Sequence, residues 1–412
     1  MKEKLLHTPD GVRDIYGNEY KRKRKVMQEL HHVLESYSYH DIQTPTFEYF
    51  DIFNRDRGSA PSNEMFKFVD RDNNTLVLRP DMTPSIARCV AKYYENEELP
   101  IRLCYEGNTF TNKISHQGKL CEVTQIGGEL VNDDSSAADA EILATVVDCF
   151  QAVGLQEFQI EVGQVDYFKG IVEEAGLDEE EEISIREYIQ NKNFFGLQEY
   201  VKHLKISDSL KQALNSFDQL FGGLDMLERA KTLVDNERSR TAIDRLEKVY
   251  HALSYYHCEE HVSFDLSMLS DFRYYTGILF RGYTYGTGDA IVRGGRYNSL
   301  LNQFGKEAPA IGFVLLVDTL MNAISRQNIP VAIEETEMIL LYRQECQQQA
   351  IEMGCQLRQS GKKVELIRMS ARKTLEDYQA YGKKEHFEQL IYFDGGEPQT
   401  FSFTKEAEGE HE

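Results

Sequence analysis

The chain has 412 residues, an apolar fraction of 41% and a formal charge of −22 at pH 7. Two or three domains are expected at that length, with enough apolar residues for real cores. The acidity excludes a broad electrostatic footprint on nucleic acid, because Lys and Arg neutralising phosphates supply most nonspecific affinity, and leaves room only for a local basic patch.

Residues Glu19 to Tyr37 place Val26, Met27, Leu30, Val33 and Leu34 at helical spacing, with the basic run KRKRK read as a solvated outer face. From Asp41 to Val131 short strands dominate: DIQTPTFEYF, EMFKFVD, NTLVLRP, then GNTFTNKISHQGKLCEVTQIGGE. Asp72-Asn73-Asn74 is a turn signal that predicts a hairpin with Phe66, Phe68, Leu76 and Leu78 facing a core. SSAADAEILATVVDCFQAVG reads as a capped amphipathic helix stopping at Gly154, and FQIEVGQ as a strand. Helical periodicity then runs from Asp166 to His257, with the acids DEEEE near a helix start, where they suit the macrodipole. Strands resume in VSFDLSM, FRYYTGILFRGYTYG and DAIVRGGRY, and IGFVLLVDTLMNAI is expected as one apolar helix. Strand-rich sequence on both sides makes residues 166–257 a helical insertion within one α+β domain, 1–325.

After Pro330, MILLYR, a helix from Glu345 to about Gln359, KVELIR, a helix around Leu375 and LIYFDGG alternate as β-α-β-α-β. This predicts a small α/β domain over 331–403 with a parallel sheet. From Val331 onward ten Lys and Arg face sixteen Asp and Glu, a net of −6. Residues 404–412 lack apolar anchors and are expected to be disordered. Seven cysteines occur without a C-x-x-C pair or a nearby His at ligand spacing, which suits buried thiols in a reducing cytosol and no metal site. No run of about 18 apolar residues is present, so a soluble, cytoplasmic protein away from membranes is expected.

Candidate chemistry gathers in TPTFE, LRPDMTPSIAR, the hairpin from Gly107 to Glu129, and the pair FRYYTG and RGGRY. Asp81, Gln125 and Glu129 are acceptors suited to an ammonium group. Tyr274 and Tyr275 supply aromatic walls, and Gly294-Gly295 allows close backbone approach. Together they point to a pocket for a small zwitterion with an aromatic or imidazole side chain.

The order of these segments resembles histidyl-tRNA synthetase, a class II aminoacyl-tRNA synthetase, over about residues 5–325. The resemblance implies an antiparallel class II sheet with flanking helices, and TPTFE as a dimer-forming segment. It implies Asp81 and Thr83 at the amino group of histidine, and Gln125, Glu129, Tyr274 and Tyr275 as further histidine contacts. Departures fall on phosphate handling. Where the family has a motif 2 arginine this chain has Thr111, and Lys113 replaces an acid two positions on. Thr319 stands at the motif 3 arginine, Ser270 at the histidine-enzyme arginine, and Arg273 at an aspartate.

That pattern is similar to the synthetase paralogues that serve as regulatory subunits of short-form ATP phosphoribosyltransferase. The resemblance implies no aminoacylation and no cofactor, assembly with a short catalytic subunit in a hetero-octamer, and allosteric feedback by histidine on the first step of histidine biosynthesis. Members of that family often keep the motif 2 arginine, from which Thr111 departs. Two alternatives stay open: a histidyl-tRNA synthetase with Lys113 and Arg273 as substitute anion contacts, against which the acidic C-terminal unit weighs because an anticodon reader should present positive surface, and a tRNA-binding sensor with no enzyme partner.

Overall fold

The computed structural model describes residues 6–53, 60–112, 120–269, 275–333 and 338–403. Lys113, Ser270, Arg273, Tyr274 and the tail 404–412 lie outside the described residues. The chain divides into two compact units, Met1–Val331 and Ala332–Glu412.

The first unit is built on a sheet of nine strands among the described residues. In spatial order these are His40–Asp41, Ile101–Phe110, Glu122–Val131, Ala310–Leu316, Val292–Arg296, Ile278–Thr284, Phe158–Gln164, Val262–Asp265 and Phe221–Gly222. Neighbours run antiparallel except at His40–Asp41 with Ile101–Phe110, and at Phe158–Gln164 with Val262–Asp265. Strand alternation sorts the two faces. Ile126 and Leu130 join one core with Ile142, Val146 and Phe150 of the helix Ser136–Ala152. Leu103, Tyr105 and Val131 join the other with Met82, Ile86 and Val90 at the helix Thr83–Tyr93. That short helix covers only one end of its face, and a cavity opens over the rest.

The insertion folds as helices Val165–Ala175, Glu179–Gln190, Phe194–His203, Asp208–Asn215, Leu224–Thr232 and Glu237–Tyr255. Asp178 caps the acidic helix in a reciprocal capping box with Glu181. Phe168, Phe217, Ile243 and Leu246 belong to the same core as the sheet, so the insertion packs as part of this unit. Its two-residue strand Phe221–Gly222 also extends the sheet edge.

Three local expectations need correction. IGFVLLVDTLMNAI is not one helix: Ala310–Leu316 is a strand between two others, and Val317–Arg326 is the helix. A strand buried on both faces carries a continuous apolar run, which hides its period. The hairpin of Lys67–Val69 and Thr75–Leu78 forms, with Asn73 at φ 66°, yet its core is Val77 with Met65 and Phe53. Phe68 points outward against Phe47, ring centroids 5.7 Å apart. Within KRKRK, Lys21, Arg22 and Arg24 are exposed, but Lys23 lies on the stripe of Val26, Leu30 and Leu34 and is buried. Its Nζ donates to Asp318 Oδ1 and Thr124 Oγ1, both at 2.7 Å.

A buried charge cluster ties sheet to helices. Asp139, in the first turn of Ser136–Ala152, accepts from Arg296 Nε (2.9 Å) and Nη2 (2.6 Å), and from Arg245 Nε (2.6 Å) of the insertion helix Glu237–Tyr255. Arg296 also donates to the Asp133 carbonyl at 2.8 Å.

In the second unit the parallel strands Val364–Arg368, Met338–Tyr342 and Gln389–Phe393 are extended by an antiparallel strand, Gln399–Ser402. Met338 and Leu340 face Ala350 and Leu357 of the helix Gln347–Gln359, while Ile339 and Leu341 face Tyr378 of Leu375–Lys384. Burial on both faces accounts for the unbroken run MILLY. No disulfide joins the cysteines; five are buried and Cys355 is exposed. No helix among the described residues is long and apolar enough to cross a membrane.

Asp139→Ala is expected to lower the free energy of unfolding of the first unit by about 3–5 kcal/mol, because it strands buried guanidinium charge. Denaturant titration followed by circular dichroism measures this, with Asp139→Asn expected to fall between the two.

Candidate functional site

The open half of the sheet face forms the floor of a cavity of about 990 Å³. Asp81, Thr83, Gln125, Glu129 and Tyr275 all line it. Glu129 faces the cavity because Ile126, Gly128 and Leu130 alternate with it toward the opposite side. In register, Glu129 opposes Gly312, which opposes Gly295. A Cβ on Gly312 would stand 1.6 Å from Glu129 Oε2, and one on Gly295 would stand 2.6 Å from the Tyr275 ring. Both glycines are therefore required by close approach of side chains across the floor.

Glu129 is 1% exposed. Thr83 Oγ1 donates to its Oε1 at 2.9 Å and Tyr297 OH to its Oε2 at 2.6 Å. Burial pushes its pKa up from 4.5 to about 8, and nearby Asp81 adds to this, whereas the bonds from Tyr297 and Thr83 pull it down. Asp81 caps the backbone, accepting from the Thr83 N–H at 3.3 Å. Gln125 Oε1 is buried with no hydrogen-bond partner among the described residues. An orphaned buried acceptor in a cavity also lined by carboxylates suits a ligand bearing N–H donors.

Thr111 and Thr319, which stand where the synthetase resemblance places arginines, both line the cavity. The described lining contains Glu64, Asp81, Glu129, Asp289 and Asp318, with Arg293 and Arg326 as its basic residues. Asp318 is already engaged by Lys23 and by the Thr124 N–H at 2.7 Å. Arg326 donates to the Gly286 carbonyl. The weak anion-site candidates Lys113 and Arg273, and the wall residue Tyr274, lie outside the described residues.

Sequence reasoning passed over Tyr297, whose hydroxyl holds Glu129, and Arg293 on the sheet floor. Both sit in RGGRY, and alternation around Gly295 was the available signal. Other polar residues of the motif segments turn out to brace the fold. Arg79 of LRP is buried and donates to the carbonyls of Thr44 (2.9 Å) and Asn108 (2.9 Å), while Arg88 binds Glu48 of TPTFE at 2.7 Å. Away from this cavity, His31 Nε2 lies 2.8 Å from Asp41 Oδ1, with Cys104 Sγ 3.5 Å from the same oxygen. It is the only described trio with metal-ligand chemistry, brought together from three elements.

Because the folded chain holds the Glu129 proton more tightly than the unfolded chain, this residue's contribution to stability falls as pH rises from about 4.5 to about 8. Glu129→Gln removes that dependence. Its melting temperature relative to the parent is expected to rise steadily between pH 5 and pH 8.5, and parallel melting curves would contradict the assigned burial of the charge.

Comparison with known proteins agrees with this architecture. The family model for histidyl-tRNA synthetase matches residues 11–320. An ATP phosphoribosyltransferase regulatory subunit of Acetivibrio thermocellus is 38% identical over 366 residues, covering 89% of this chain and 88% of that protein. One from Ruminiclostridium cellulolyticum is 37% identical, covering 95% and 93%. The crystal structure of an ATP phosphoribosyltransferase regulatory subunit/histidyl-tRNA synthetase from Bacillus halodurans superimposes with a TM-score of 0.85 at 31% identity, covering 95% of this chain and 99% of that one. Histidyl-tRNA synthetase from Nostoc shares the fold, with a TM-score of 0.78 at 19% identity. The chain belongs to the ATP phosphoribosyltransferase regulatory subunits, a family with the histidyl-tRNA synthetase fold.

Proposed function

We propose that this chain regulates ATP phosphoribosyltransferase in histidine biosynthesis without catalysing a reaction itself, and that its cavity senses histidine. One observation carries the reading. The acceptors Asp81, Gln125 and Glu129 line the cavity together with Thr111 and Thr319, which stand where the synthetase resemblance places phosphate-binding arginines. Activation of an amino acid by ATP builds negative charge at the α-phosphate, and losing one preorganised donor there typically costs about 10²–10³ in rate. Neither threonine supplies the permanent bidentate charge of a guanidinium.

In this reading the partner is the short catalytic phosphoribosyltransferase subunit, joined in a cytoplasmic hetero-octamer. Histidine favours the less active arrangement by binding it more tightly, a coupling of about 1–3 kcal/mol in typical allosteric systems. Burying an amino group beside Glu129 requires its carboxylate form, which Tyr297 and Thr83 are placed to stabilise. The acidic balance of the second unit disfavours tRNA as a ligand.

Self-association as a synthetase-like dimer is supported by the small sheet of Phe47–Tyr49, Thr75–Leu78 and Lys67–Val69. Phe47, Tyr49 and Phe68 are large apolar residues exposed on one face of it. Such a contiguous patch marks an interaction surface. Phe47→Asp is expected to shift the protein from dimer to monomer in sedimentation velocity, with its melting curve little changed.

Purification of the tagged chain from native lysate is expected to recover a short phosphoribosyltransferase, identified by mass spectrometry. In the reconstituted complex, Glu129→Ala and Tyr275→Phe are expected to weaken histidine inhibition by about tenfold or more, on the scale of a lost charged hydrogen bond. Unchanged inhibition would remove the cavity as sensor. Histidine-dependent ATP–pyrophosphate exchange by the isolated chain would favour the ligase alternative, and none is expected.

A further inference from the structure

Arg293 and Arg281 stand directly opposite each other on adjacent strands of the sheet floor. Directly opposed residues of an antiparallel pair share a face, and like charges there repel. Arg281 has a counter-charge on its far side: Glu161, opposite it on the strand Phe158–Gln164, interacts with it electrostatically. Arg293 has none. Its other cross-strand neighbour is Val314, and among the described residues no hydrogen bond or ion pair engages its guanidinium. In a chain of 68 acidic and 46 basic residues, carboxylates to quench it are plentiful. It is nevertheless held unquenched, exposed, and on the wall of the 990 Å³ cavity.

The position of Arg293 relative to Glu129 gives it a use. Glu129, Gly312 and Gly295 form one cross-strand row, and Arg293 lies two residues beyond Gly295 on the same face. Strand spacing and rise place the Cα atoms of Glu129 and Arg293 about 12 Å apart, a gap that the two long side chains narrow to the size of a small ligand. Gly312 and Gly295 between them present no side chain of their own, which leaves the floor there to the Glu129 carboxylate and the Tyr275 ring. The Glu129 end offers that carboxylate with Asp81 near it, and two residues along the strands Arg293 offers an unpaired guanidinium beside a second one.

We propose that Arg293, backed by Arg281, is the anion-binding element of this cavity, receiving the oxyanion, carboxylate or phosphate, of a small amine whose nitrogen is held at Glu129 and Asp81. The cation absent from Thr111 and Thr319 is thereby supplied from the sheet floor. A guanidinium matches the two oxygens of either group in bidentate fashion. The inference rests on the reading of the cavity as an amino-acid pocket, and the carboxylate of histidine is the oxyanion that reading requires.

The test is calorimetric titration of the full chain and of Arg293→Gln and Arg293→Lys with three probes: L-histidine, L-histidinamide and inorganic phosphate. The parent is expected to bind histidine about 10- to 100-fold more tightly than the amide, the range for one charged hydrogen-bonded contact. Arg293→Gln is expected to bring that ratio close to one while affinity for the amide stays within about threefold, and Arg293→Lys is expected to restore part of it. Phosphate is expected to compete with histidine in the parent and to lose that ability in Arg293→Gln. A ratio unchanged in Arg293→Gln, or absent in the parent, overturns the assignment. If phosphate binds through Arg293 while histidine does not bind at all, the anion site stands and the histidine reading falls. If none of the probes binds, both fall.

Discussion

The carboxylate of Asp139 is the constraint on which the first unit depends. Wholly buried, it is shared by Arg296 of the sheet and Arg245 of the insertion, so one anion fixes a strand, a covering helix and a helix from a distant segment. Desolvating such a cluster is expensive, and it is tolerated only when every member is engaged. The consequence is geometric. Slipping the strand Val292–Arg296 by one residue would carry Arg296 to the cavity and Arg293 into the core, so the buried ion pair enforces the register. Tyr297 then meets Glu129, and Gly295 meets Gly312, as a result of an interaction on the other side of the sheet.

On the cavity side the same register produces a floor divided by charge. Glu129 is confined by two hydroxyls over glycines that admit no side chain, with its proton held well above the usual carboxylate range. A cation brought there relieves the desolvation that raises this pKa. Thr111 and Thr319, where the synthetase resemblance places arginines, line the same cavity with neutral side chains. Electrostatic preorganisation is the larger part of what phosphate chemistry asks of a protein.

Much of the architecture was legible in the chain because local periods were clean. The helix at Ser136–Ala152, the acidic N-cap at Asp178 and the β-α-β-α-β alternation after residue 330 each follow from spacing, capping and turn residues. Legibility failed where two environments present the same pattern. The central strand Ala310–Leu316 is apolar on both faces and reads like the helix that follows it. In the small hairpin, Phe68 and Val77 lie on opposite faces, and nothing local says which face a core will cover. Lys23 was hidden in a basic run because its partner, Asp318, is 295 residues away.

The sequence by itself determined the fold class, the helical insertion, the candidate acceptors Asp81, Gln125 and Glu129, and the neutral residues Thr111 and Thr319, because each is written in local pattern or residue identity. Only the tertiary structure decided that Tyr297 holds Glu129, that Arg296 is buried in the core while Arg293 lines the cavity, and that Arg293 faces Arg281 with no ion pair among the described residues. Those facts depend on strand register, and register is set by pairings between segments far apart in the chain.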